Sequence, residues 1–242
     1  MAAKTLSHDS NMSRFVEKQM RNWEIASGQH PAAHAREQVA DFITISNLVG
    51  AGGGDVATLL GNELGWPVFD RELLTNMAHD DETRFGLYRS MDERDMGWLE
   101  ETLRPLVDRG FRKNDYFHRL VETVLCLARR TPSIFVGRSV DLILPRARGL
   151  RVRLVASREY CVQQFAKRGE LQPERAQAEV DRIEAERADF IKHHFHLDPT
   201  DPMRFDLQVN VERFSARQIV NLILSAHASI LAMAADRPDR PD

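Results

Sequence analysis

The sequence predicts an α/β fold of three layers, a parallel five-stranded sheet with helices on both faces, behind an N-terminal helical arm. Three observations predict it. Short apolar strands alternate with longer amphipathic helices, the pattern of a sheet covered on both sides. The first strand runs directly into a glycine-rich turn and a helix, over Asp41–Ala57. The chain has 242 residues, 43% hydrophobic and 29% charged, enough for one large domain with a full core. No internal repeat is present.

Met1–Asn11 is polar. Met12 to Ala26 reads as a helix with Phe15, Val16, Met20 and Trp23 on one face, closed by Gly28 and Pro31. Ala32–Ala40 reads as a second short helix. The apolar stripe of this arm must be buried, on its own domain or on a second subunit; the latter would make a homodimer through the arm. Phe42, Ile43 and Ile45 form the first strand, and Gly50, Gly52, Gly53 and Gly54 form the turn. Val56, Ala57, Leu59 and Leu60 open the helix that stops at Gly65.

Trp66–Asp70 is a short strand, and Arg71–Ala78 the next helix, with Asp70 at its N-cap. His79–Gly97 is dense in charge and reads as a solvated face or loop, Asp92-Glu93-Arg94-Asp95 as a solvated turn. Trp98–Asp108 and Tyr116–Arg130 are helical by periodicity. Pro132–Gly137 is a buried strand, and Val140–Leu144 a short helix ended by Pro145. Leu150–Ala156 is a strand, and Ser157 opens a helix to Arg168 that Gly169 ends. Pro173 starts a long helix through His194, with Ala176, Val180, Ile183 and Phe190 as its buried stripe. Asp206–Val211 is the last strand and Ser215–Ala234 the last helix. The tail, Asp236–Asp242, is disordered by composition.

Composition narrows the function. A net charge of −3, from 33 basic and 36 acidic residues, gives no footprint for nucleic acid or an anionic membrane. Cys126 and Cys161 are the only cysteines and lack metal-ligand spacing, which suggests a reducing compartment. No apolar run approaches the ~18 residues of a membrane span, and no signal-peptide core is visible. The expected location is the cytoplasm. His193-His194-Phe195-His196 has no cysteine or carboxylate at a ligand spacing, and histidines also suit a helix C-terminus. No metal site is expected of the chain's own residues. Ser46 and Ser157 have no His/Asp frame to make either a nucleophile.

A strand, a glycine-rich loop and a helix aim backbone N–H groups and the positive end of a helix at an anion. A tight turn alone needs fewer glycines than the four found between Gly50 and Gly54. The loop is not a regular Walker A, G-x-x-x-x-G-K-[ST]. With Gly52 as the second glycine, Asn47 stands at the first, Gly53 at the lysine and Gly54 at the hydroxyl residue. In parallel sheets ligands bind beyond the carboxyl ends of the strands. The positions to inspect are therefore Asn47–Gly54, Asp70-Arg71, Arg138-Ser139 and Ser157-Arg158.

From about Asp41 to Ala226 the order of motifs resembles the cytidylate kinase-like proteins among the P-loop nucleoside monophosphate kinases. The pieces are ITISNLVGAGGGDVATLLGNELGWPVFDRELL, IFVGRSVDLILPRARGLRVRLVA, DRIEAERADF and FDLQVNV. A G-x-G-G loop without the Walker lysine is typical of this branch. The resemblance implies a P-loop domain over 41–235 behind a helical extension over 1–40, with a helical acceptor-binding insert at about 80–112 and a lid at about 170–200. It also implies ATP and Mg²⁺ as cofactors, and phosphoryl transfer to CMP, dCMP or a related nucleoside monophosphate.

Carried over by position, Asn47, Gly50, Ala51, Gly52, Gly53, Gly54 and Asp55 bind the nucleotide. Arg138 and Arg187 serve catalysis, and Asp70, Arg71, Arg138, Ser139 and Glu184 meet the acceptor. Cytidylate kinases have G-R-D after a core strand; here Gly137-Arg138 matches and Ser139 replaces the cytosine-reading aspartate. Their lid, R-D-x-x-D-x-x-R, corresponds to Val180–Arg187; Arg187 matches the last arginine, and Glu184 takes the place of the ribose-contacting aspartate. Asn47, Gly53, Cys161 and Val180 stand where cationic residues are usual. Arg71, Arg158 and Arg182 are the further arginines able to repopulate the site, or to lie in surface ion pairs. A missing cation in such a site costs orders of magnitude in rate. Two functions stay open: a nucleotide-dependent phosphotransferase, and a nucleotide-sensing or scaffolding pseudokinase.

Overall fold

The computed structural model describes residues 39–91, 93–108, 116–145 and 149–235. The amphipathic helix expected over Met12–Ala26, its docking surface and the tail lie outside these residues. Val39 and Ala40, the end of the helix expected over Ala32–Ala40, are buried and not helical.

The elements are β1 (Phe42–Asn47), α1 (Gly53–Leu64), β2 (Val68–Phe69), α2 (Arg71–His79), α3 (Asp81–Arg89), α4 (Glu93–Asp108) and α5 (Tyr116–Arg130). They continue with β3 (Ser133–Val136), β4 (Gly149–Val155), α6 (Arg158–Gly169), α7 (Pro173–Phe195), β5 (Leu207–Asn210) and α8 (Ala216–Ala235). Short 3-10 turns lie at Val140–Leu142 and Pro202–Arg204. The five strands form one parallel sheet in the order β2-β3-β1-β4-β5, as the alternation predicts. β4 and β5 pair in register from Val152 opposite Leu207 to Val155 opposite Asn210. The neighbours β1 and β4 send their connections in opposite directions, to β2 and to β5. In such sheets ligands bind beyond the carboxyl ends of the strands whose connections diverge in this way.

The chain divides into two compact units. One holds residues 39–42 and Gly65–Ile134. Its centre is α5, whose sides are buried almost all round, with α2, α3 and α4 packed on it. Leu73, Leu74 and Met77 of α2 and Leu120, Val124 and Leu127 of α5 are fully excluded from water. The charge-dense stretch His79–Gly97, read from composition as a solvated face or loop and by the resemblance as part of a helical insert, holds α3 and the start of α4. Asp80 caps α3 by accepting from the Thr83 amide at 3.1 Å. Asp95, expected on a solvated turn, is buried and accepts from Arg129 Nε at 2.6 Å. The Arg129 guanidinium also lies 5.1 Å from the Trp98 ring centre. Charge read as solvation is thus partly internal pairing: Arg84 Nη2 donates to Glu122 at 2.6 Å, and the same carboxylate lies 3.0 Å from His118 Nε2.

The other unit holds Ile43–Leu64 and the described residues from Phe135 onward. Within it α8 packs on α1, β4 and β5, burying Ile219, Val220 and Ile223. Over Ala216–Met233 this helix is long and apolar enough by composition to cross a bilayer, which the sequence reading did not anticipate. Only 22% of that window is buried: Ile219, Val220 and Ile223 face the sheet and α1, while Leu222 and Met233 are exposed. α6 packs on α7.

Asp95 and Arg129 have side chains only 3% and 4% exposed. Asp95→Ala removes a buried carboxylate that accepts from a buried guanidinium and is expected to cost about 3 kcal/mol of unfolding free energy. Asp81, 80% exposed beside Arg84, is the control, and Asp81→Ala is expected to cost below about 1 kcal/mol. Urea unfolding measures both. Equal, small losses would show that the Asp95 pair is not a buried one.

Candidate phosphate-binding site

The loop between β1 and α1 gives its glycines different duties. The Ala51 amide donates to the Leu48 carbonyl at 2.9 Å, closing the first turn. Gly50 (φ +88°) and Gly52 (φ +75°) then take left-handed backbone, which favours glycine. At Gly50 a Cβ would overlap the carbonyl oxygen of Cys161 on α6. At Gly53 it would overlap the Asn47 side chain, whose Nδ2 donates to the Leu48 carbonyl at 2.8 Å. Gly54 has open space around it. α1 starts at Gly53, and its first-turn amides have no carbonyl of a preceding turn to bond. They form the positive end of a 12-residue helix.

The helix α7 lies on this loop. Glu184 Oε1 accepts from the Val49 amide at 2.7 Å and from Arg187 Nη1 at 3.1 Å. Arg187 Nη1 also donates to the Asn47 carbonyl at 2.9 Å. A carboxylate therefore sits on a loop amide, and a guanidinium on a loop carbonyl. At the lip of the loop Arg168 of α6 pairs with Asp55 of α1. Its Nη2 would stand 3.8 Å from a Cβ on Gly52. Arg158 pairs with Asp181 at 2.5 Å, and Arg182 with Glu179 at 2.8 Å, all at the surface. Cys161 has its side chain buried, and burial, with the Glu184 charge second, raises its thiol pKa.

The turn after β3 is the second feature. Gly137, Arg138 and Ser139 are consecutive left-handed residues, with φ of +75°, +54° and +53°. The two that carry side chains cost about 1–3 kcal/mol each, and such strain concentrates at functional sites. The Gly137 amide donates to the Ile45 carbonyl at 3.0 Å, holding the turn beside the end of β1. Behind it Asp141 is buried, accepting from Ser46 Oγ at 3.2 Å and from Arg204 Nη2 at 2.6 Å. The buried Arg151 donates from Nε to the Asp141 carbonyl at 2.9 Å and from Nη2 to the Leu144 carbonyl at 2.7 Å.

The structure thus gathers Asn47, Gly50, Ala51, Gly52, Gly53, Gly54, Asp55, Glu184 and Arg187 around one loop. Arg138 and Ser139 stand on the strained turn after β3. Asp70 and Arg71 belong to the other unit, where Asp70 caps α2 by accepting from the Leu73 amide at 2.8 Å and Arg71 is exposed. Arg168 and Asp141 escaped the sequence reading. Arg168 looks like an ordinary basic residue in the last turn of a helix, and Asp141 like a polar position in a short helix; their partners are distant in sequence.

The loop fits the phosphates of a nucleotide: an oxyanion, the Glu184 carboxylate, already accepts from one of its amides. For Mg²⁺ the donor set does not fit. Gly54 offers no hydroxyl, Asp55 and Asp141 are engaged by arginines, and the described residues contain no group of three His, Cys, Asp or Glu able to hold a metal ion. We therefore derive no step through a protein-held metal.

The cytidylate kinase-like family matches this chain over residues 42–213. The chain is similar to an uncharacterized protein from Eubacterium ventriosum, at 16% identity, covering 78% of this chain and 98% of that one with a TM-score of 0.62. It is also similar to shikimate kinase from Bacteroides thetaiotaomicron, at 14% identity over 76% and 96% of the two chains with a TM-score of 0.40. A gluconokinase from Sinorhizobium meliloti gives 16% identity over 82% and 96%, with a TM-score of 0.39. A search of curated proteins gave no match. The fold is α/β, a parallel five-stranded sheet with helices, and the matching family is one of kinase-like proteins. The family match supports a phosphotransferase of that type and leaves the acceptor open.

Gly50 and Gly54 separate packing from chemistry. Gly50→Ala is expected to cost about 3 kcal/mol, from a strained φ together with the overlap on Cys161. Gly54→Ala is expected to stay within about 1 kcal/mol or to gain stability, since alanine is the better helix former. Thermal unfolding of both variants checks this, and equal melting temperatures would contradict the close approach of loop and α6.

Proposed function

We propose that this chain, which belongs to the cytidylate kinase-like family, is a nucleotide-dependent phosphotransferase acting on CMP, dCMP or a related nucleoside monophosphate. The single observation that supports the reading is the loop itself, which leads into a helix N-terminus and whose Val49 amide already donates to an oxyanion, the Glu184 carboxylate. ATP phosphates replace that carboxylate, and Glu184 withdraws with α7. Mg²⁺, when bound with the nucleotide, supplies charge neutralisation of the phosphates. The chain's own residues do the rest. The backbone amides fix the donor, because phosphoryl transfer asks a protein mainly for position and positive charge. Arg138, held on the strained turn, meets the acceptor phosphate. Arg187, released from the Asn47 carbonyl, stabilises the transferred group. We place this activity in the cytoplasm.

One observation favours a second reading. Glu184 occupies a loop amide that a nucleotide phosphate would use, Arg187 is engaged by a loop carbonyl, and no residue of the loop brings a lysine or hydroxyl. A protein that binds nucleotide as a signal, without chemistry, needs no more than that.

Radiolabelled ATP with Mg²⁺ and a panel of nucleoside monophosphates tests the proposal. Transfer to at least one acceptor is expected, with a loss of about a hundredfold or more in Arg138→Gln. ATP binding without transfer to any acceptor would decide for the sensing reading.

A further inference from the structure

On β4, side chains alternate between the two faces of the sheet. Leu150, Val152 and Leu154 are buried on one face, and Arg151 and Arg153 point to the other. There Arg153 meets Arg204. Both guanidinium carbons lie 5.1 Å from the centre of the same ring, Phe205. Both Nη1 atoms reach the same oxygen, the Pro199 carbonyl, at 3.3 Å from Arg153 and 3.2 Å from Arg204. Two like charges are thus turned onto one neutral acceptor.

Their counter-charges are unequal. Arg204 is buried and paired with Asp141 at 2.6 Å. Arg153 is half-buried, and among the described residues no carboxylate pairs with it and nothing accepts from its Nε or Nη2. Burial, and then the charge of Arg204, lower its pKa; Glu184 and Asp141 act on it only through space. Bringing a second guanidinium to a desolvated cation is unfavourable unless an anion joins them. Guanidinium forks match the oxygens of phosphate and carboxylate, and a half-buried setting strengthens such bonds over those made in water. The partly exposed side of Arg153 leaves a path from solvent.

We propose that Arg153 and Arg204, over Phe205, form a second oxyanion site, distinct from the glycine loop, that takes a phosphoryl or carboxylate group. The site does not depend on the chain being a kinase. It adjoins the loop through Glu184, whose carboxylate attracts Arg153 and also holds the Val49 amide.

The test is a titration of the full chain at constant ionic strength, with inorganic phosphate in one arm and malonate in the other. The readout is the Arg153 Nε–H signal in the ¹⁵N spectrum. In wild type at least one of the two anions is expected to shift this signal to saturation, and the arms tell which group the site takes. Arg153→Gln, read by calorimetry, is expected to weaken binding of that anion about tenfold or more, with Arg153→Lys between the two. Gly52→Val, which strikes the loop, should leave this binding in place. Three results overturn the proposal: no saturable shift in wild type, equal affinity in Arg153→Gln, or a loss in Gly52→Val as large as that in Arg153→Gln. If Arg153→Gln does not fold, the wild-type signal and Arg153→Lys still decide.

Discussion

The constraint on which the site depends is the approach of Gly50 to the carbonyl of Cys161. No side chain fits between the loop and α6 at that point, and the backbone there is left-handed. The loop is therefore pressed into one shape by a helix that belongs to a later part of the chain. The Ala51–Leu48 hydrogen bond and the packing of Asn47 on Gly53 complete the curl. With the curl set, the first-turn amides of α1 face outward as a group. The anion binding we propose for the loop rests on its backbone, so it does not require the usual lysine.

Charge then decides what occupies the loop. Glu184 and Arg187 sit three residues apart on α7, one helical turn, and address an amide and a carbonyl of the same loop. The two contacts are complementary, so α7 is held by a pair of charge-assisted bonds. Both ends of this latch are partly exposed, with side chains 34% and 37% accessible. A latch of this kind is weak enough for a polyanion to displace. Behind it, buried Asp141 joins the end of β1, the turn after β3 and Arg204. That network is shielded and anchors the elements from which the latch opens.

The strand–loop–helix and the sheet were legible because their signals are local: apolar runs, clustered glycines and the caps at Asp70 and Ser157. The site was legible only in part. Asn47, the glycines, Glu184 and Arg187 were found, yet their mutual bonds run across more than a hundred residues and leave no mark on periodicity. Charge density misled the reading of Asp95, because a carboxylate is written the same way whether it faces water or Arg129. Arg153 was passed over for a similar reason. In LRVRLVA it looked like the polar half of an alternating strand, and only Phe205 and Arg204, some fifty residues later, reveal its setting.

The central claim is that the glycine loop is a working phosphate site now held by Glu184. The most direct measurement is an amide NMR titration with ATP and Mg²⁺, following Val49 and Gly52 to Asp55 in wild type and in Glu184→Gln. The account predicts that ATP shifts these amides to saturation, Val49 among them, and binds more tightly to the variant. If saturating ATP leaves Val49 and the α1 first turn unmoved in both proteins, the loop is a structural element and the account fails.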